Sequence, residues 1–293
     1  MKKKIITTLV SLATISMLGY NTLYPSINNN NFTNQVEVKK NIVHTSKIIK
    51  REKPKIGLEE KLNREIKDKY FPHNSQLSFS LPNFGRKHCI PTAAANLLLY
   101  LDFFYPDLID ESKPNHERDL IHKLGTIMKT SAKTGTKKNV FRKKFNSYLE
   151  KKGYLSNLDY RFINKYGQYH YRLDIGWMKR NTSRMNNVIL DLYYFKKNKY
   201  RNKKTGQINW ENQLTGHFIN LLYINKKYNF NNYQIKIRDP FSIGIDKDYA
   251  TIKKDKYNIW RVYGLLLTGN KDVIIGGAMS YRLIPKRKKL VKK

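Results

Sequence analysis

The chain contains one cysteine, Cys89, at the start of the segment Cys-Ile-Pro-Thr-Ala-Ala-Ala. Pro91 suits the first turn of a helix, because the N–H that proline lacks has no intrahelical partner there. Apolar residues recur at helical spacing over residues 93–104, and Pro106 ends the pattern. A thiol at a helix start meets the positive end of the helix dipole, which favours the thiolate. The sequence therefore predicts a nucleophilic Cys89, with a small buried core residue as the alternative.

A thiolate nucleophile needs a base, and His217 is the best placed of the seven histidines. His217 begins an alternating strand, and the next predicted strand ends in Asp239-Pro240. If the two strands pair antiparallel, the start of the first lies beside the end of the second, so we expect His217 to contact Asp239. A carboxylate there would orient the imidazole and stabilise its charged form. His88 adjoins Cys89 in the chain, so we expect its side chain to point elsewhere.

Taken singly, His217 is an ordinary strand residue and Asp239 an ordinary turn residue. Together with Cys89 they predict a Cys–His–Asp triad on a helix and two strands. The order of elements is helices first and strands afterwards, which indicates an α+β fold with an antiparallel sheet rather than a βαβ repeat. The predicted helices cover residues 57–70, 92–104, 115–128 and 141–149. The predicted strands cover residues 188–195, 217–224, 233–239, 262–268 and 273–283.

The helix predicted over residues 57–70 has Leu58, Leu62 and Ile66 at four-residue spacing, which is a thin apolar stripe. It is either an inhibitory propeptide or a packing helix. We favour a packing helix, because it is short and no processing site is visible.

The N-terminus is typical of an exported protein. Three lysines precede an apolar run of about 14 residues, which suits a secretory signal and is short for a membrane span of about 20. We predict a signal peptide or an uncleaved N-terminal anchor over residues 1–22 and a linker over 23–55. The main domain would cover residues 56–285, and a basic tail 286–293. The expected localisation is secreted or attached to the cell envelope, with membrane contact only through an uncleaved N-terminus.

Three features together resemble the papain-like cysteine peptidases related to bacteriocin-leader-processing peptidases. They are Cys-x-Pro-Thr-Ala-Ala-Ala-Asn from Cys89, the Gly-His strand start at His217, and Asp-Pro at Asp239. The resemblance covers roughly residues 81–239, and Thr134-Gly135-Thr136 also fits it. It implies a papain-like fold, with the nucleophile at a helix N-terminus in a helical part that packs on the antiparallel sheet.

By the same resemblance, Cys89 is the nucleophile, His217 the general base and then acid, and Asp239 the orienting residue. The family usually has glycine directly after the nucleophile, where this chain has Ile90. It also usually has glutamine about six residues before the cysteine, as the oxyanion donor. Here that position is Asn83, which can donate the same amide hydrogen bond. Gln76 is a more distant alternative donor.

The composition limits the kinds of partner and cofactor that the protein is expected to bind. The chain carries 57 Lys+Arg against 22 Asp+Glu, a formal net charge of +35. Such an excess suggests an anionic partner, although AT-rich codons for Lys, Asn, Ile and Tyr explain it equally well. One cysteine excludes an intramolecular disulfide framework and an iron–sulfur site. No phosphate-binding or dinucleotide-binding glycine motif is present in the sequence, so we predict no cofactor and no metal.

The sequence thus predicts an exported thiol-dependent hydrolase acting on a peptide or cell-wall amide. Transfer to another acceptor stays open, since it shares the same acyl-enzyme. The alternative is a weak or inactive peptidase-fold protein that binds anionic envelope polymers through its lysine-rich surface and tail. A nucleic-acid partner is permitted by the charge, but export and the lack of a recognised motif argue against it.

Overall fold

The computed structural model describes residues 56–77, 81, 85–110, 115–164, 166–229, 231–241, 248–265 and 271–286. All of them belong to one compact unit, Lys53–Lys293. The predicted signal segment, the linker, Asn83 and the tail beyond residue 286 lie outside the described residues. The described helices are α1 Ile56–Tyr70, α2 Cys89–Asp102, α3 His116–Ile127, α4 Lys138–Lys151 and α5 Ile175–Asn181.

The strands form one antiparallel sheet. They are β1 Tyr154–Ile163, β2 Tyr169–His170, β3 Asn187–Lys196, β4 Gln213–Asn229, β5 Asn232–Arg238, β6 Tyr249–Lys254, β7 Trp260–Tyr263 and β8 Lys271–Pro285. Their order across the sheet is β2-β1-β8-β3-β4-β5-β6-β7, and β7 also pairs with β8. The six strands from β8 round to β7 therefore close into a ring, while β1 and β2 extend the sheet outside it. The α+β class with an antiparallel sheet is confirmed.

Helices α2, α3 and α4 cover one face of the sheet, and α5 packs on the other. Apolar residues of α2, α3 and α4 form a core, called the helix-side core below, with Phe218 and Leu222 of β4 and Tyr281 of β8. Residues from the other face of the same strands, such as Ile219 and Leu221, form a second core with α5. Burial of both faces explains why residues 188–195 of β3 and 217–224 of β4 are mostly apolar.

The predicted alternation along β4 breaks at its far end. Tyr223 is expected on the same face as Ile219 and Leu221, but it joins the helix-side core instead. The register between β4 and β5 shifts between Leu221 and Tyr223, and a bulge of this kind moves the following side chain to the other face. The Tyr223 hydroxyl consequently reaches the carboxylate of Asp68 in α1, at 2.7 Å.

Helix α1 packs on β4, and the predicted stripe takes part through Ile66, which packs against the helix-side core. Leu62 is 48% exposed, whereas Lys67 is fully buried at 0%. The Lys67 ammonium donates to the carbonyl oxygens of Thr182, Asn186 and Leu222, at 3.0–3.2 Å. The stripe is therefore only part of the contact surface, and the fully buried position on α1 belongs to a lysine that backbone carbonyls satisfy.

Candidate active site

Cys89 is the first residue of α2 and is half-buried. The preceding residue, His88, makes no side-chain cap, and the first turn of α2 contains no acidic residue. The first N–H groups of a helix have no partner within the helix, and they carry the positive end of its dipole. The sulfur of Cys89 therefore sits at a helix end that favours negative charge.

His217 lies four residues into β4, and Asp239 directly follows β5. The antiparallel pairing of β4 with β5 brings them together as the sequence predicts. His217 Nε2 lies 2.6 Å from Asp239 Oδ1, and both side chains are almost completely buried. The same carboxylate oxygen accepts a hydrogen bond from the Phe241 N–H at 2.8 Å. Two donors on one oxygen fix the carboxylate against the ring.

The side chains of Cys89, His217 and Asp239 affect one another's charge. Burial by itself would lower the pKa of His217, but hydrogen bonds to Asp239 and Cys89 outweigh it and raise that pKa to about 10. Burial likewise acts to raise the pKa of Asp239, yet its hydrogen bond to His217 leaves that pKa below the usual value. Because an ionised carboxylate only accepts, Nε2–H of His217 donates to Asp239. Nδ1 is then the ring nitrogen left for the Cys89 thiol.

A short strap, residues 71–77, follows α1 and runs past the triad. His73 Nε2 lies 3.3 Å from the backbone oxygen of Asp239. The Gln76 N–H donates to the Pro240 carbonyl at 2.7 Å, and its side-chain amide donates to the Arg86 carbonyl at 3.2 Å. Gln76 thereby ties the turn after Asp239 to the loop before Cys89. Its side-chain nitrogen is engaged with Arg86 in this structure.

The loop that leads into Cys89 requires a glycine at position 85. Gly85 has φ +75°, and a Cβ built there would lie 1.5 Å from the Gln76 backbone oxygen. The strap and the loop therefore approach each other too closely for any side chain. Gly135, in the predicted Thr134-Gly135-Thr136 turn, approaches the same loop, since its Cβ would lie 3.3 Å from the Lys87 oxygen.

Two asparagines hold α2 in place beside the strand of His217. Asn220 of β4 donates its side-chain amide to the Ala93 carbonyl of α2 at 3.1 Å. Asn96 of α2 exchanges two hydrogen bonds with the backbone of Asn74, at 3.1 and 3.3 Å. These contacts fix α2, the helix that begins at Cys89, relative to both β4 and the strap.

The structure brings Cys89, His217 and Asp239 together, and it leaves Asn83 outside the described residues. Ile90, the departure from the family pattern, is 4% exposed and packs into the helix-side core. His88 turns away from the triad, as predicted, towards Gly125 of α3.

Sequence reasoning missed His73, Asn220 and Tyr194 as neighbours of the site. The ring of Tyr194 on β3 lies edge-on to that of His217, with centroids 6.4 Å apart. Of these three residues, only Asn220 could have been found from the sequence, because it is a polar residue within the apolar stretch 218–224. His73 and Tyr194 carry no such signal, since their positions depend on chain segments distant in sequence.

Within the described ranges, no group of three or more His, Cys, Asp or Glu side chains is arranged to hold a metal ion. No helix in that part of the chain is long and apolar enough to span a membrane. The sequence matches no protein-family model and no curated protein.

Proposed function

We propose that this chain is an exported thiol-dependent amide hydrolase, a papain-like cysteine peptidase with the triad Cys89, His217 and Asp239. One observation carries the proposal: a buried His217–Asp239 pair at 2.6 Å stands beside the only cysteine of the chain, at a helix N-terminus. This is the arrangement of a nucleophile, a base and a group that orients the base.

The chemistry would follow from the positions of the three groups. The Cys89 proton passes to His217 Nδ1, and the thiolate attacks the amide carbonyl carbon. The tetrahedral oxyanion lies at the α2 N-terminus, where the Cys89 N–H can donate to it. His217 then gives its proton to the leaving amine as the C–N bond breaks, which leaves a thioester on Cys89.

In the second half, His217 takes a proton from water, and the resulting hydroxide attacks the thioester carbonyl. The C–S bond breaks, the acid product leaves, and the thiol is restored. An amine acceptor in place of water would give transfer by the same route. In both halves Asp239 keeps Nε2 protonated and supports the charged ring. Asn83 is proposed as a second oxyanion donor.

The test is the rate at which iodoacetamide alkylates Cys89 in the folded protein at neutral pH, compared with the same chain in denaturant. We expect faster alkylation in the folded state, and we expect prior alkylation to abolish cleavage of a peptide library followed by mass spectrometry. The variants Cys89→Ala and His217→Gln should lose the cleavage. His122→Ala is the matched control, because His122 is exposed on α3.

Alkylation no faster in the folded than in the unfolded chain, together with no thiol-dependent cleavage, would contradict the proposal. The formal charge of +35 favours a second candidate, a binder of anionic envelope polymers. That function predicts salt-sensitive binding of a polyanion that is unaffected by Cys89→Ala.

A further inference from the structure

Tyr194 lies on β3, next to the strand that carries His217. In the β3–β4 register, Leu192 is opposite His217 and Tyr194 is opposite Thr215. Alternate residues of a strand share a face, so Tyr194 and His217 are diagonal neighbours on one face. The Tyr194 side chain is 0% exposed, and its ring meets the imidazole at 67° with the centroids 6.4 Å apart. Tyr194 therefore forms one wall of the space that holds His217.

The hydroxyl of Tyr194 is buried and has no hydrogen-bond partner among the described residues. Buried tyrosine hydroxyls usually find a partner, and an unpaired one costs about 1–3 kcal/mol. Burial raises the pKa of Tyr194, and the charges of Asp239 and Cys89 raise it further. The group therefore stays protonated, and its free O–H lies in the electrostatic field of the triad.

We propose that Tyr194 is a positioning residue of the active site, acting through the Cys89–His217 pair. Its ring packs against the imidazole, and its unpaired O–H favours the form in which the thiol proton has moved from the Cys89 sulfur to His217. The inference rests on the proposed function. This role of Tyr194 explains why the hydroxyl is unpaired: its O–H can stabilise the negative charge that develops only when the site is ionised.

Tyr281 provides a matched control. It is also 0% exposed, but it belongs to the helix-side core, and its hydroxyl approaches the Met279 sulfur at 3.9 Å. Tyr281→Phe therefore removes a buried hydroxyl from the same sheet without touching the triad.

The decisive variant is Tyr194→Phe, which keeps the ring and removes the donor. We expect the pH at which alkylation of Cys89 is half-maximal to rise by about one unit, equivalent to about a tenfold loss of thiolate below that pH. We expect the denaturation midpoint to stay level or to rise, because the variant loses an unpaired polar group. Tyr281→Phe should leave the alkylation profile unchanged.

A second readout is the imidazole titration of His217 by NMR, which should move to lower pH in Tyr194→Phe. An unchanged alkylation profile and an unchanged His217 titration would overturn the proposal. So would a loss of stability large enough to account for slower alkylation. The two hypotheses can fail separately. Slow alkylation of the unmodified chain refutes the proposed function, whereas fast alkylation in both the unmodified chain and Tyr194→Phe refutes only the role of Tyr194.

Discussion

The side-chain amide of Asn220 on β4 donates to the carbonyl oxygen of Ala93 on α2, 3.1 Å away. Asn220 stands three residues after His217, and Ala93 stands four residues after Cys89. This hydrogen bond therefore joins the strand of His217 to the helix of Cys89, three residues from one and four residues from the other.

Replacing Asn220 by leucine should slow alkylation of Cys89 severalfold, because the helix loses its polar tie to β4. The lost buried hydrogen bond should also lower the free energy of unfolding by about 1 kcal/mol. Alkylation kinetics and urea denaturation measure the two effects. Asn187→Leu is the control, since the Asn187 side chain is buried without a partner among the described residues. An equal slowing in both variants would show that the Asn220–Ala93 contact has no special role.

Asp239→Asn should destabilise the fold in a pH-dependent manner. The raised pKa of His217, about 10, means that its stabilisation is fully present below its ordinary pKa and is lost as the pH rises towards 10. The lowered pKa of Asp239 adds stability above the ordinary aspartate pKa, which is lost in acid. Removing one partner of such a buried pair costs about 3–5 kcal/mol.

We therefore expect Asp239→Asn to unfold at a much lower urea concentration than the unmodified chain at a pH of about 5.5, with a smaller difference at about 9.5. Asp119→Asn, at an exposed carboxylate of α3, should show little difference at either pH. A penalty for Asp239→Asn that does not change with pH would contradict the ion pair.

Gly85→Ala should lower the stability of the fold more than alanine usually does at a glycine with positive φ. Gly153 is the matched control, because it has φ +86° and a Cβ there would meet nothing within 4 Å, whereas at Gly85 the Cβ would collide with the Gln76 backbone. Gly153→Ala should cost only the backbone strain, about 1–2 kcal/mol. Thermal denaturation should show a clearly larger loss for Gly85→Ala, accompanied by slower Cys89 alkylation. Equal losses would mean that the strap is free to move away.

Lys67 should make stability rise with pH. Burial lowers its pKa to about 7, so between that pH and the ordinary lysine value the unfolded chain binds a proton that the folded chain has released. Stability should therefore increase by on the order of 1 kcal/mol for each pH unit in that window. Urea denaturation should show this slope in the unmodified chain and in Lys69→Met, which removes an exposed lysine of the same helix. Lys67→Met should show a weaker slope, and an identical slope would contradict the prediction.

Strands β3, β4, β5 and β8 were predictable because each contains an apolar run or an apolar–polar alternation that includes β-branched residues. Strand β7 was predicted over residues 262–268 and instead covers Trp260–Tyr263. The strands β1, β2 and β6 and the short helix α5 were missed. Strand β1 has mostly half-buried positions, and the short β6 ends in two lysines. Neither has the apolar signal that burial on both faces produces.

The His217–Asp239 contact could be predicted because antiparallel pairing of neighbouring strands fixes which ends meet. The burial of Lys67 and the course of the strap could not. Both depend on where α1 docks, and the carbonyl oxygens that accept from Lys67 belong to residues that lie 115 to 155 positions further along the chain. The same limit applies to Tyr194, whose approach to His217 depends on the exact register of β3 against β4.

The position of β8 in the sheet has a consequence for the timing of biosynthesis. β8 is the last described strand along the chain, yet it lies between β1 and β3 and also pairs with β7. The ring of strands that includes β4 therefore cannot close until residues 271–285 have been synthesised. The helix of Cys89 and the strands β4 and β5 all precede β8 in the chain, so His217 and Asp239 can meet before the closed sheet that supports them is complete.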